Sequence, residues 1–97
     1  MADFTADVTS GPAPLSVQFT DLSTGDFDTW LWDFGDGVTS TLQSPMYLYL
    51  LPGTYTVTLT VSGLGGLHTQ TRLAYITVAE PKDPSLEIYL PIVVRIE

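Results

Sequence analysis

Apolar residues recur at every second position along most of this chain, and no stretch repeats with a helical period. In DFTADV, Phe4, Ala6 and Val8 alternate with polar neighbours; GPAP then breaks the strand, and LSVQFTD resumes the alternation with Leu15, Val17 and Phe19. TWLWDF places Trp30, Trp32 and Phe34 on one face and Leu31 and Asp33 on the other. SPMYLYLLPG reads as a short strand with Tyr47 and Tyr49 on one face, stopped by Pro52 and Gly53. The cleanest stretch is TYTVTLTVS, with Tyr55, Val57, Leu59 and Val61 inward and Thr54, Thr56, Thr58 and Thr60 outward, a half-buried antiparallel strand. GLGG turns the chain, and residues 67–78, LHTQTRLAYITV, form its hairpin partner.

About seven short strands with turn signals roughly every 8 to 12 residues are the signature of an immunoglobulin-like sandwich. The pattern therefore predicts an all-β, seven-stranded β-sandwich over residues 1–79, followed by a Pro-containing linker at 80–85 and an additional C-terminal β-strand at 86–97. In that last stretch Leu86, Ile88, Leu90, Ile92, Val94 and Ile96 fall on alternate positions and would share one face. Burying six such side chains is worth roughly 9–18 kcal/mol before ordering costs, so the face needs a cover. Three covers are open: the strand pairs in cis with its own sheet, it augments a neighbouring copy in trans, or it is read as a sorting segment. A stiff linker with Pro81 and Pro84 favours the trans arrangement, and head-to-tail addition without closure builds a filament.

Ninety-seven residues with 44% hydrophobic content fit one folded domain. The 11 acidic against 3 basic residues, net −8, repel phosphate backbones and anionic lipids, which argues against a nucleic-acid partner. No apolar run is long enough to span a bilayer, and the first ten residues lack the basic and apolar regions of a signal peptide. Without cysteine there is neither a disulfide framework nor a thiolate nucleophile.

One block carries a specific resemblance. WDFGDG at 32–37, preceded by GPAPLSVQFTDLSTG and followed by PGTYTVTLTV, closely resembles the PKD (polycystic kidney disease) family of immunoglobulin-like domains. The resemblance covers residues 2–79 and implies a seven-stranded, usually extracellular sandwich, a spacer or accessory module of secreted hydrolases and surface proteins rather than an enzyme. Where the family often has a His between Pro45 and Tyr49, this chain has Tyr47. Within the motif, Trp32 and Phe34 read as core, Gly35 and Gly37 as turn glycines, and Asp33 and Asp36 as acceptors of turn N–H groups.

Candidate chemistry is sparse. A single His, His68, and no nucleophile-elbow Ser leave no triad to assemble, so catalysis is not expected and no cofactor is required. Calcium is the one metal the sequence raises: an antiparallel arrangement gathers Asp3, Asp21, Asp26 and Asp28 at the end bearing the loop after the second strand, and Asp7, Asp33 and Asp36 at the other. Solvated rim charge explains the same acids. Threonine ladders and aromatics also permit polysaccharide binding, although Tyr55 and Tyr75 read more economically as core. Two functions follow: an extracellular structural subunit whose partners are copies of itself, polymerising through the last strand, or an accessory PKD module of a secreted protein, binding calcium or polysaccharide.

Overall fold

A computed structural model describes residues 1–81. The linker beyond Pro81 and the strand expected at 86–97 lie outside the described residues. The chain forms β1 (Phe4–Ala6), β2 (Ser10–Pro12), β3 (Leu15–Asp21), β4 (Thr29–Asp33), β5 (Thr39–Ser40), β6 (Met46–Tyr49), β7 (Gly53–Gly63) and β8 (Gly66–Ala79), with no helix among the described residues. These make a three-stranded sheet, β1-β3-β6, and a five-stranded sheet, β2-β8-β7-β4-β5. The all-β, immunoglobulin-like sandwich is thus the fold.

Eight strands stand against about seven expected, because the first strand divides and the two-residue β5 adds a pairing that the alternation did not predict. β1 pairs antiparallel with β3, whereas β2 pairs in parallel with the end of β8, so the chain changes sheets between Ala6 and Ser10. Val8, expected inside, falls in that crossing and is 37% exposed. GPAP does not break the strand where expected: Gly11 and Pro12 continue it on the other sheet, opposite Val78 and Ala79.

Alternation decides the core. Val17 and Phe19 of β3, Trp32 of β4, and Val57, Leu59 and Val61 of β7 are all fully buried. Trp32 sits at the centre of a linked aromatic cluster, 5.1 Å from Phe4, 5.3 Å from Phe19 and 6.4 Å from Phe34. Edge-on and offset contacts of this kind add about 0.5–1.5 kcal/mol each beyond area burial. On the outer face, Thr58 meets Thr71 and Thr60 meets Thr69 at 3.3 and 3.2 Å, cross-strand hydroxyl pairs set by the β7–β8 register.

β8 breaks step with β7 once. Tyr55 opposes Ile76 and Val57 opposes Arg72, so three residues of β8, Leu73 to Tyr75, face Thr56 alone. Ala74 takes φ 50° in this bulge and its N–H donates to Thr56 Oγ1 at 3.1 Å. Two extra residues preserve the period of two, so Arg72 stays on the inward side.

Candidate functional site

The WDFGDG turn is built as expected. Asp33 Oδ1 accepts the Gly35 N–H at 2.9 Å, Asp36 Oδ1 accepts the Val38 N–H at 3.1 Å, and Phe34 N–H donates to the Val38 carbonyl. Gly35 has φ 90°, and a Cβ there would lie 2.4 Å from the Thr56 carbonyl oxygen, so the close approach of turn to β7 requires glycine. Gly37, at φ 95°, relaxes the turn without touching a neighbour.

Two tyrosines of β6 fasten this turn to the three-stranded sheet. Tyr49, fully buried, donates its hydroxyl to the Phe34 carbonyl at 2.9 Å. Tyr47 stacks on Phe34 with centroids 4.2 Å apart and planes 6° from parallel, and its hydroxyl donates to Asp36 Oδ2. Burial, the hydrogen bond to Asp36 and the charge of that carboxylate together push the Tyr47 hydroxyl from 10.0 up to about 12. Tyr49 is also pushed up, first by burial and then by the neighbouring negative charges. Tyr47 is thus a phenol that links turn and sheet. Beside it lies a cleft of about 340 Å³ lined by Asp36, Tyr47, Leu48, Leu50, Leu51 and Tyr55.

The expected calcium ligands are placed near one end but are not brought together. Asp3 Oδ1 accepts the Phe4 N–H and a bond from Arg72 Nη2 at 2.8 Å. Asp21 accepts from the Ser23 N–H, from Trp30 Nε1 at 2.9 Å and from Gln43 Nε2. Its burial raises the pKa, and those bonds outweigh burial to leave the carboxyl below the ordinary value. Asp26 and Asp28 serve through their backbones, the former accepting from the Gly65 N–H and the latter donating to the Ser62 carbonyl. Among the described residues no group of three or more His, Asp or Glu is placed to hold a metal ion. His68 Nε2 lies 3.2 Å from the Gly65 carbonyl and its ring packs edge-on to Phe27, so it closes a turn. Tyr75 is half-buried against Phe4, as expected of a core side chain.

Arg72 escaped the sequence reading. Its guanidinium bonds Asp3 and the Phe4 carbonyl and lies 5.0 Å over the Phe4 ring and 5.4 Å over that of Tyr75, sealing the gap between β1 and β8. The bulge sets its register, opposite Val57, while alternation from Ile76 sets its side.

The chain is thus a two-sheet β-sandwich whose Asp33 and Asp36 hold its own turn, and comparison with known proteins gives the family. A PKD domain model matches residues 1–78, and the chain belongs to the PKD domain family. It is 41% identical over 64 residues to the pre-pro-metalloprotease PrtV of Vibrio cholerae, covering 63% of this chain and 7% of that protein. It is 35% identical over 77 residues to the collagenase ColA of Bacillus cereus, covering 75% and 8%. The chain therefore spans less than a tenth of the curated relatives it matches. Among solved structures, the PKD1 domain of V. cholerae PrtV superposes with a TM-score of 0.66 at 36% identity, covering 80% of this chain and 94% of that one. A structure of carbohydrate-binding modules from the β-sandwich superfamily gives a TM-score of 0.71 at 30% identity, covering 81% and 34%.

Proposed function

We propose that this chain is a load-bearing spacer, an accessory PKD module of an extracellular multidomain protein that holds its neighbours apart without acting on a substrate. The observation that carries this reading is that the described sandwich begins, at Met1, and ends, at Ala79, at opposite poles. Met1 lies beside the loop after β3, where Thr24 N–H donates to the Met1 carbonyl, and that loop meets the Gly63–Gly66 turn through the Gly65 bond to Asp26. Ala79 lies at the far end of β7, with its carbonyl accepting from the Ala13 N–H and Val78 paired with Gly53. The 11 residues of β7 separate the two ends by about 35 Å.

Tension between such ends runs along the strands. β2 and β8 are parallel, so pulling the first residues one way and the last the other puts their pairing in shear, loading the Thr77 N–H to Thr9 carbonyl and Ala13 N–H to Ala79 carbonyl bonds together. Relatives that contain the module as a small part of a metalloprotease or a collagenase support an accessory role in a secreted protein. The self-polymerising reading draws no support from relatives of that kind. Polysaccharide contact is supported by the carbohydrate-binding-module likeness, but that match spans 34% of the other chain, so it does not place a sugar on this one.

Single-molecule pulling through the two ends of the full chain tests the spacer reading. One cooperative unfolding event for the sandwich is expected, with high force that falls when Ala13→Pro and Thr77→Pro remove the two N–H donors of the sheared pairing. Stepwise yielding at low force would contradict it.

A further inference from the structure

Of the sandwich's free edges, one is unguarded. The β1 edge is plugged by Arg72, whose Nη2 donates to the Phe4 carbonyl. The free edge of β8 is bent by the bulge at Ala74 and carries inward-pointing Arg72, two devices that discourage strand pairing. β5 has two residues, and β2 has three including Pro12. β6 ends the three-stranded sheet with no outer partner among the described residues.

Register fixes which backbone groups of β6 are free. Met46 to Tyr49 oppose Gln18 to Leu15, and the Phe19 N–H donates to the Pro45 carbonyl at 2.9 Å. Antiparallel bonding alternates, so Tyr47 and Tyr49 also turn their N–H and C=O groups toward β3, and those of Met46 and Leu48 point away from it. The side chains of Met46 and Leu48 are 65% and 47% exposed, and the 340 Å³ cleft opens beside them with Leu50, Leu51, Tyr55 and Asp36 in its walls. Asp36 Oδ1 accepts the Val38 N–H and Oδ2 the Tyr47 hydroxyl, so each oxygen keeps a lone pair, and among the described residues no cation meets this carboxylate.

We propose that this edge takes one extended segment of a partner protein in which an arginine stands between two apolar residues. The segment's backbone bonds to Met46 and Leu48 and continues the sheet. Cross-strand neighbours share a face, so its two apolar side chains lie beside Met46 and Leu48, and the arginine, opposite Tyr47, turns toward the cleft. There the forked guanidinium pairs with Asp36 while its stem runs along Leu50 and Leu51. Charge selects this occupant over a second copy. Of the chain's 11 acids all but Asp83, Glu87 and Glu97 precede residue 82, whereas Arg72 is the one Lys or Arg of residues 1–81 and is already held by Asp3.

Calorimetry and NMR on the full chain test this with a blocked seven-residue probe peptide, valine and threonine alternating around a central arginine. The expected result is a Kd on the order of 100 μM that weakens with salt, with exchange of the Met46 and Leu48 amides slowed about tenfold in the complex. Asp36→Asn, which still accepts the Val38 N–H, should weaken binding about tenfold while the β7 amides stay protected. Leu48→Pro removes an N–H that faces away from β3, so it too should weaken binding and leave the sandwich intact. Four results would overturn the proposal: no binding at millimolar peptide; equal affinity when glutamate replaces the peptide's arginine; slow exchange of the Met46 and Leu48 amides without peptide, which means that the chain itself or, if sedimentation shows dimers, a second copy already covers the edge; or added laminarin shifting the Tyr47 and Tyr55 resonances while the peptide does not, which assigns the cleft to a polysaccharide.

Discussion

The two open sides of the sandwich are closed by different chemistry. Between β1 and β8 a charged plug does the work: Arg72 pairs with Asp3, bonds the Phe4 carbonyl and lies over two aromatic rings. Between the GDG turn and β6 the closure is aromatic, with Tyr47 flat on Phe34 and Tyr49 holding its carbonyl, and the apolar rim beyond them stays open. A charge on an edge repels incoming strands, whereas stacked rings flanked by leucines invite one. One side is capped by charge and the other leaves an apolar rim exposed.

Trp32 lies between the two sides, so Trp32→Ala should cost about 3–5 kcal/mol and lower protection at both edges together. Urea unfolding measures the loss, and exchange at β1 and β6 shows whether both edges loosen. Gly35→Ala acts on the turn side alone. With φ 90° and the Thr56 carbonyl 2.4 Å from the new Cβ, it should cost about 1–3 kcal/mol, read from the same titration.

Arg72→Met removes the plug and keeps much of its packing. Asp3 and Arg72 side chains are 43% and 34% exposed, so solvent screening holds the expected loss to about 1 kcal/mol, and it should shrink in high salt. Tyr47→Phe is expected to cost about 0.5–1.5 kcal/mol through the bond to Asp36. Because folding raises the Tyr47 hydroxyl from 10.0 to about 12, the folded state holds its proton over that interval and the unfolded chain does not. The stability this gives is complete below pH 10 and is lost as pH rises toward 12, so the melting temperature should fall across that window, less steeply in Tyr47→Phe. The Arg72 and Tyr47 changes share no partner, so their costs should add.

Much of the sandwich was legible in the sequence because a half-buried strand must alternate. β3 and β7 carry that period without interruption, and their buried residues are the ones the pattern names. The WDFGDG turn was legible for a similar reason, since glycine and aspartate at those positions solve a local backbone problem. Three things were hidden. The sheet change after Ala6 leaves no mark beyond a valine in a polar setting. The bulge at Ala74 preserves the period of two while displacing register, so alternation from Ile76 keeps Arg72 inward but does not tell that it stands opposite Val57. Asp3 and Asp21 look like ligands in sequence because their partners Trp30, Gln43 and Arg72 are supplied by other segments.

The spacer account stands or falls on the distance between the ends. Because the chain has no cysteine, Thr24→Cys with Ala79→Cys places two spin labels without interference, and pulsed electron resonance on the full chain reads their separation. A single narrow distribution near about 35 Å is expected from the length of β7. A broad distribution, or one centred below about 20 Å, would contradict the claim that this module holds its ends rigidly apart.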